Sequence, residues 1–191
     1  MVVLCSKQEG NHEKGVGMVI FMERQFPGSL KYLRCDGGKE FIQKAVSNWC
    51  TQHGIQLQTS NVNTPEENSL AENAHKIQFA NARCEVDSAK APPRLWCEAA
   101  GYSTYVRNMT PMRRLKWKTP HEVLYGIKPS IRHIRPWYSV GFAFIPKTKR
   151  THQKLGARAI KCRLFGISDI TKGYRLLDIS NNMEFTSRDV K

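Results

Sequence analysis

This sequence predicts an α/β fold followed by a small β-barrel-like module, and three observations carry that prediction. Residues 30–59 read as strand, helix, strand, because two short alternating apolar runs flank a segment with apolar residues at helical spacing. Two later segments open with helix-capping patterns, at Thr64 and at Thr119. After Pro129 the helical period gives way to four short β-like runs separated by Gly, Asn and basic turns. At 191 residues the chain can hold one ordinary domain or a core plus an appendage. The change of pattern divides it into residues 1–128 and 129–191.

Taken in order, Val16, Val19, Ile20 and Phe26 can line one face of a helix before the Pro27-Gly28 turn. Residues 30–35 form a strand, Asp36-Gly37-Gly38 a turn, and Phe41, Ile42, Ala45, Val46 and Trp49 a helical stripe that ends at His53-Gly54. Residues 55–59 alternate as a second strand. Thr64-Pro65-Glu66-Glu67 places an N-cap, a first-position proline and an acid at the third position, so a helix follows. On that helix Leu70, Ala74, Ile77, Asn81 and Cys84 share one stripe, while Glu72 projects nearly opposite, with Lys76 one turn further along its side. A third helix covers residues 93–107, with Leu95, Trp96, Ala99, Ala100 and Ser103 on its apolar face. Thr119-Pro120-His121-Glu122 starts a short helix closed by Gly126. The β-like runs are residues 140–145, 159–167, 173–179 and 184–190.

The net charge is +14, from 30 basic and 16 acidic residues. Residues 107–163 hold fifteen Lys or Arg against one acid, Glu122, so this stretch accounts for the whole excess. Such a block is the footprint of a polyanion partner, which points to nucleic acid; a merely solubilising basic surface is the plainer alternative. Six cysteines are scattered without a C-x-x-C pair and read as reduced, mostly buried small side chains. The six histidines give no zinc-finger spacing. No apolar run is long enough to span a membrane, and no pattern calls for a small-molecule substrate.

Asp36 and Glu72 form the most informative pair. A strand-end aspartate and a helix-borne glutamate with thirty-five residues between them match the way metal-dependent polynucleotidyl transferases bring carboxylates from different elements onto Mg²⁺. Alone, Asp36 before Gly-Gly reads as a turn former, and Glu72 as a solvated helix acid. Lys76 reads as a phosphate contact or as an ordinary surface lysine. Trp49, Phe41 and Trp96 sit on apolar stripes and are assigned to the core. Trp117, in Arg113-Arg114-Leu115-Lys116-Trp117-Lys118, can either stack on a base or cover the core. Lys147, Lys149, Arg150 and Lys154 form a loop able to follow a DNA backbone without reading sequence.

The stretches Leu33-Arg34-Cys35-Asp36-Gly37-Gly38-Lys39-Glu40-Phe41 and Thr64-Pro65-Glu66-Glu67-Asn68-Ser69-Leu70-Ala71-Glu72-Asn73 resemble the integrase of copia-type long-terminal-repeat retrotransposons. Lys118-Thr119-Pro120-His121-Glu122, Gly126-Ile127-Lys128-Pro129-Ser130, Lys172-Gly173-Tyr174-Arg175-Leu176 and Ser187-Arg188-Asp189-Val190 follow in the family's order. The resemblance runs from about residue 20 to the end. It implies a ribonuclease-H-like core, truncated here, whose Mg²⁺-binding triad of two aspartates and a glutamate trims element ends and joins them to target DNA. Asp36 matches the second acid and Glu72 the third, making both the expected catalytic and metal-binding residues. Lys76 falls where the family carries a basic residue, and Lys76, Arg113, Arg114, Lys116, Lys147, Lys149, Arg150 and Lys154 are the expected DNA contacts.

The sequence also departs from the family. Gly37 replaces the Asn after the second Asp, Lys39 a Gly, Ser69 the Gly before Ala71-Glu72, and Asn73 the Arg after it. The acids upstream of Asp36 (Glu9, Glu13 and Glu23) lack a strand context for the first aspartate, so the chain is expected to begin inside the core. Two acids of three are expected to hold Mg²⁺ only weakly and not to catalyse strand transfer. The alternatives are a non-enzymatic basic nucleic-acid-binding protein and a non-functional element remnant. DNA is the expected partner, with homo-oligomerisation as in other integrases and no membrane. The basic clusters and the DNA role imply a nuclear location, otherwise a cytoplasmic one.

Overall fold

A computed structural model of the chain describes residues 20, 24, 31–35, 44–59, 69–150, 156–168 and 170–191. The expected helix over 15–26, Asp36, Phe41, the Thr64 capping box and Lys154 lie outside these residues, apart from isolated positions. Two compact units are present, one ending at Ile77 and one running from Gln78 to Lys191.

In the first unit, strand β1 (Tyr32–Cys35) and strand β2 (Gln56–Thr59) pair in parallel, with Leu33 opposite Leu57. Parallel neighbours need a crossover, and helix α1 (Lys44–Gln52) supplies it. Gly54, at φ +67°, takes the left-handed conformation that turns the chain from α1 into β2. Cys50 and Ile55 are buried against Leu33 and Trp49, and the Trp49 ring stacks on His53 at 4.0 Å. The strand–helix–strand order and the core place of Trp49 are therefore as the sequence pattern reads.

Helix α2 (Ser69–Ser88) crosses the boundary between the units, and its buried positions differ from the expected stripe. Ala74, Gln78 and Ala82 are buried, whereas Ile77, Asn81 and Cys84 are exposed. From Gln78 onward the physical reason is α3 (Trp96–Asn108), which packs small residues, Ala99 and Ala100, into one core with Ala82. A polar Gln78 is tolerated there because its amide donates to the Ala100 carbonyl at 3.3 Å and to the Thr104 hydroxyl. Trp96, expected in the core, is instead 42% exposed and leans on the equally exposed Phe79 at 5.6 Å. It follows the 3-10 turn Pro93–Leu95, which starts α3 later than the sequence pattern suggests.

Helix α4 (Pro120–Tyr125) keeps its predicted ends. The Thr119 hydroxyl accepts from the Glu122 N–H at 2.9 Å, and Gly126, at φ +71°, returns its N–H to the Glu122 carbonyl. The segment between α4 and the sheet is tied down by buried polar groups. Trp137 donates to the Phe165 carbonyl at 3.0 Å, the Tyr102 hydroxyl to the Arg135 carbonyl, and Tyr174 to the His133 carbonyl at 2.8 Å.

Strands β3 (Val140–Phe144), β4 (Ala159–Ile167), β5 (Tyr174–Asp178) and β6 (Glu184–Ser187) form an antiparallel sheet in that order. The chain end then returns to β3, where Phe142 and Lys191 exchange backbone hydrogen bonds at 2.7 and 3.0 Å and Phe144 bonds to Asp189 at 2.9 Å. This pairs the outer edge of β3 and bends the sheet toward closure as a small barrel. Gly141 permits the closure, because a Cβ there would meet the Lys191 carbonyl and the Val190 side chain at 3.2 Å. A bulge between Leu164 and Gly166 bends β4, so that Leu164, Phe165 and Gly166 are all buried.

The barrel is not a freestanding layer. Ala143, Cys162, Leu164 and Leu176 share one core with Ala82, Ala99, Ala100 and Tyr102 of the helices. Arg175 adds a polar tie, bonded to Glu98 of α3 at 2.9 Å and to Glu184 of β6 at 2.6 Å. Among the cysteines beyond β1, Cys50 and Cys162 are buried, Cys97 is half-buried and Cys84 is exposed. No described helix is long and apolar enough to cross a membrane.

Candidate nucleic-acid interface

The described cations of residues 107–163 lie mostly on the surface and are left without acidic partners. Arg113, Arg114, Lys116, Lys118, Lys128, Arg132, Arg135, Lys147, Arg158 and Lys161 are all exposed. The ion pairs among the described residues are those of Arg175 with Glu98 and Glu184, and of Arg188 with Asp189, and none takes up a cation of this stretch. Its one acid, Glu122, sits in the first turn of α4, where it complements the helix dipole. The positive potential is therefore not cancelled locally, which is the condition for attracting a polyanion.

Two parts of this surface combine cations with aromatic rings. On β3, Val140, Phe142 and Phe144 point outward and are 47, 51 and 49% exposed. Antiparallel register sets Arg163 opposite Val140 and Lys161 opposite Phe142, so cations flank an apolar row. Lys191 and the acid Asp189 border the other side of that row through the closing strand. The alternation of residues 140–144 carries this signal in the sequence, beyond the strand it predicts.

The second part is the segment between α3 and α4. A bridge between Met112 and Lys118 closes it into a loop, with the 3-10 turn Arg113–Leu115 on one side. Arg113, Arg114, Lys116 and Lys118 surround Trp117, which is 71% exposed. A ring so exposed covers no core, which removes that reading of Trp117.

The other expected contacts are distributed as follows. Lys147 is exposed on the short 3-10 turn Lys147–Lys149, and Lys149 lies on the same turn with its side chain outside the description. Arg150 is partly committed to structure: its Nε donates to the Ile145 carbonyl at 3.0 Å, and its guanidinium lies 5.1 Å from the centre of the Phe144 ring. Lys76 is exposed on α2, one turn after the equally exposed Glu72.

Glu72 stands in the first turn of α2, and Asp36 directly follows the last residue of β1. Magnesium requires several converging oxygen ligands in near-octahedral geometry. Among the described residues no three His, Cys, Asp or Glu side chains converge, so the described donors do not compose a metal centre.

The sequence reading missed one acid altogether. Glu85 of α2 is half-buried at the wall of a cleft of about 720 Å³ lined by Tyr102, Val106, Trp137, Tyr138 and Arg163. Its Oε2 is buried and has no hydrogen-bond partner. Loss of solvation pushes its carboxyl up to about 7. The neighbouring cations do not offset this, since Arg163 donates to the Tyr138 carbonyl and stacks over its ring at 4.5 Å, while Arg135 donates to the Arg132 and Ile134 carbonyls.

Comparison with known proteins places these features in context. Residues 139–191 match the retroviral polymerase SH3-like domain. The retrovirus-related Pol polyprotein from transposon TNT 1-94 of Nicotiana tabacum is 32% identical over 169 residues, which is 88% of this chain and 13% of that protein. Those from transposons RE2 and RE1 of Arabidopsis thaliana are 26% identical over 170 residues and 28% identical over 171, each match covering 89% of this chain and 11% of the relative. The chain thus spans between 11% and 13% of the length of these relatives.

Proposed function

For this chain, homologous along most of its length to one segment of the retrovirus-related Pol polyproteins of copia-type transposons and carrying the retroviral polymerase SH3-like domain at residues 139–191, we propose an integrase-derived, DNA-binding role. The observation that carries the reading is the set of exposed cations in residues 107–163 that no described acid neutralises. Charge of this kind binds phosphate without reading base sequence, and the phenylalanine row of β3 adds apolar contact beside Lys161.

In this reading residues 1–128 derive from a ribonuclease-H-like catalytic core and residues 129–191 from the β module that follows it. That division by descent differs from the division into compact units, whose boundary lies at Gln78. Asp36 and Glu72 are the counterparts of two of the family's three acids, and Lys76 is a phosphate contact beside them. A two-metal clamp needs carboxylates enough to hold both ions, so these 191 residues alone bind DNA without processing it. Self-association on DNA and a nuclear location belong to the same proposal.

The experiment combines the purified chain with duplex DNA, with and without Mg²⁺, and follows both binding and strand breakage. Binding is expected equally in the presence of a chelator, with no nicked or joined product, and Glu72→Gln should change neither. A Mg²⁺-dependent product that disappears in Glu72→Gln would show that the chain is a working polynucleotidyl transferase. Absence of binding would remove the proposal altogether.

A further inference from the structure

The turn that carries Trp117 has a backbone that its residues do not favour. Lys116 sits at φ +54° and ψ +43°, and Trp117 at φ +64°. The Lys118 N–H bonds to the Leu115 carbonyl at 3.1 Å, so the two are the central residues of a tight turn with both φ values positive. Such a turn selects Asn-Gly, because side chains with a Cβ are strained in the left-handed region. Here a lysine and a tryptophan occupy it, and the Met112–Lys118 bridge, together with the Trp117 N–H bonded to the Met112 carbonyl at 3.0 Å, holds them there.

The strain has no return in packing. Trp117 is 71% exposed, and its ring takes part in none of the aromatic or cation–π contacts among the described residues. The turn therefore presents an uncommitted indole in solvent, with Arg113, Arg114, Lys116 and Lys118 exposed in the same loop.

We infer that the Trp117 turn is a binding site for an unpaired nucleobase, the indole stacking on the base while the four cations take the flanking phosphates. The inference rests on the nucleic-acid reading above and deepens it by naming the form of the ligand. A base within an intact duplex has both faces covered by its neighbours, whereas a base in a single strand offers one to the ring. Four cations and no acid within residues 113–118 suit a strand that carries one charge per nucleotide. The hydrogen-bonded turn fixes the backbone that carries the ring before binding, so less backbone freedom is lost when the base arrives.

The test uses the full chain, an oligothymidylate of about a dozen nucleotides, and the matching duplex. In Trp117→Gly, affinity for the single strand should fall about tenfold, the loss of one stacked base. The same substitution should raise the melting temperature by about 2–4 °C by relieving the turn. Trp117→Phe should keep most of the affinity, and the tryptophan emission change on oligothymidylate should be present in the wild type and absent in this variant. Unchanged single-strand affinity in Trp117→Gly, or an emission change that persists in Trp117→Phe, would overturn the inference while leaving duplex binding, and hence the DNA-binding role, intact. An emission change driven by phosphatidylserine vesicles, or by protein concentration alone, with none on oligothymidylate would equally overturn it. Failure of the wild type to bind either DNA form would remove the underlying reading as well.

Discussion

Leu176→Ala is expected to destabilise the unit from Gln78 to Lys191 by about 3 kcal/mol, the cost of emptying a fully enclosed leucine site. Leu176 is 1% exposed at the middle of β5, and its cluster joins barrel residues to Ala82, Ala99 and Ala100 of the helices. Alanines on the helical side leave little side chain that can swing into the space, so the cavity stays largely open. Because the core is shared, the far-ultraviolet helical signal and the fluorescence of the buried Trp137 should move to lower temperature together. A barrel signal that falls while the helical signal keeps its midpoint would show residues 129–191 to be a separate folding unit.

Glu85→Gln is expected to stabilise the protein at pH 8 by about 1–2 kcal/mol and to flatten its stability between pH 4.5 and 7. The folded carboxyl titrates near 7 and the unfolded one near 4.5, so the folded state holds the proton more tightly. Stability from this group is complete below pH 4.5 and is lost as pH rises toward 7. The full shift would correspond to more, but half-burial lets solvent reduce the cost, hence the lower figure. The titratable groups lining the Glu85 cleft are Cys84 on α2, Tyr102 on α3, Arg135 and Tyr138 before β3, and Arg163 on β4, while Arg107 on α3 lines a second cleft that Glu85 also borders. Arg135 and Arg163 each direct a guanidinium nitrogen to a backbone carbonyl, and none of the described ion pairs includes Glu85. Denaturant unfolding at pH 5 and pH 8 measures the effect. Equal stability of wild type and variant at pH 8 would mean that water reaches Oε2 freely.

Local patterns in the sequence gave the elements whose cause is local. Thr119 and Gly126 act within a few residues of themselves, and β1, α1 and β2 follow from apolar spacing alone. Features set by distant residues were not legible. The buried stripe of α2 turns on Gln78, whose partners Ala100 and Thr104 lie in another helix. Trp96 lies on an apolar face in the helical pattern, yet the small residues Ala99 and Ala100 fill the core and leave it at the rim. Nothing near Glu85 announces its desolvation, which comes from packing against residues of α3 and the segment before β3. The left-handed turn at Lys116 and Trp117 contradicts the local preference of both residues and exists because Met112 and Lys118 pair. For the candidate site, the basic stretch was legible from composition, and the exposure of its members follows from the fold.

The most direct measurement is the affinity of the chain for duplex DNA across a range of salt concentrations, for the wild type and for a variant combining Lys147→Gln, Arg158→Gln and Lys161→Gln. Binding through exposed cations predicts that log affinity falls linearly with log salt, and that the variant binds more weakly with a slope shallower by about 3. A wild-type affinity indifferent to salt, or a slope that the three substitutions leave unchanged, would contradict it.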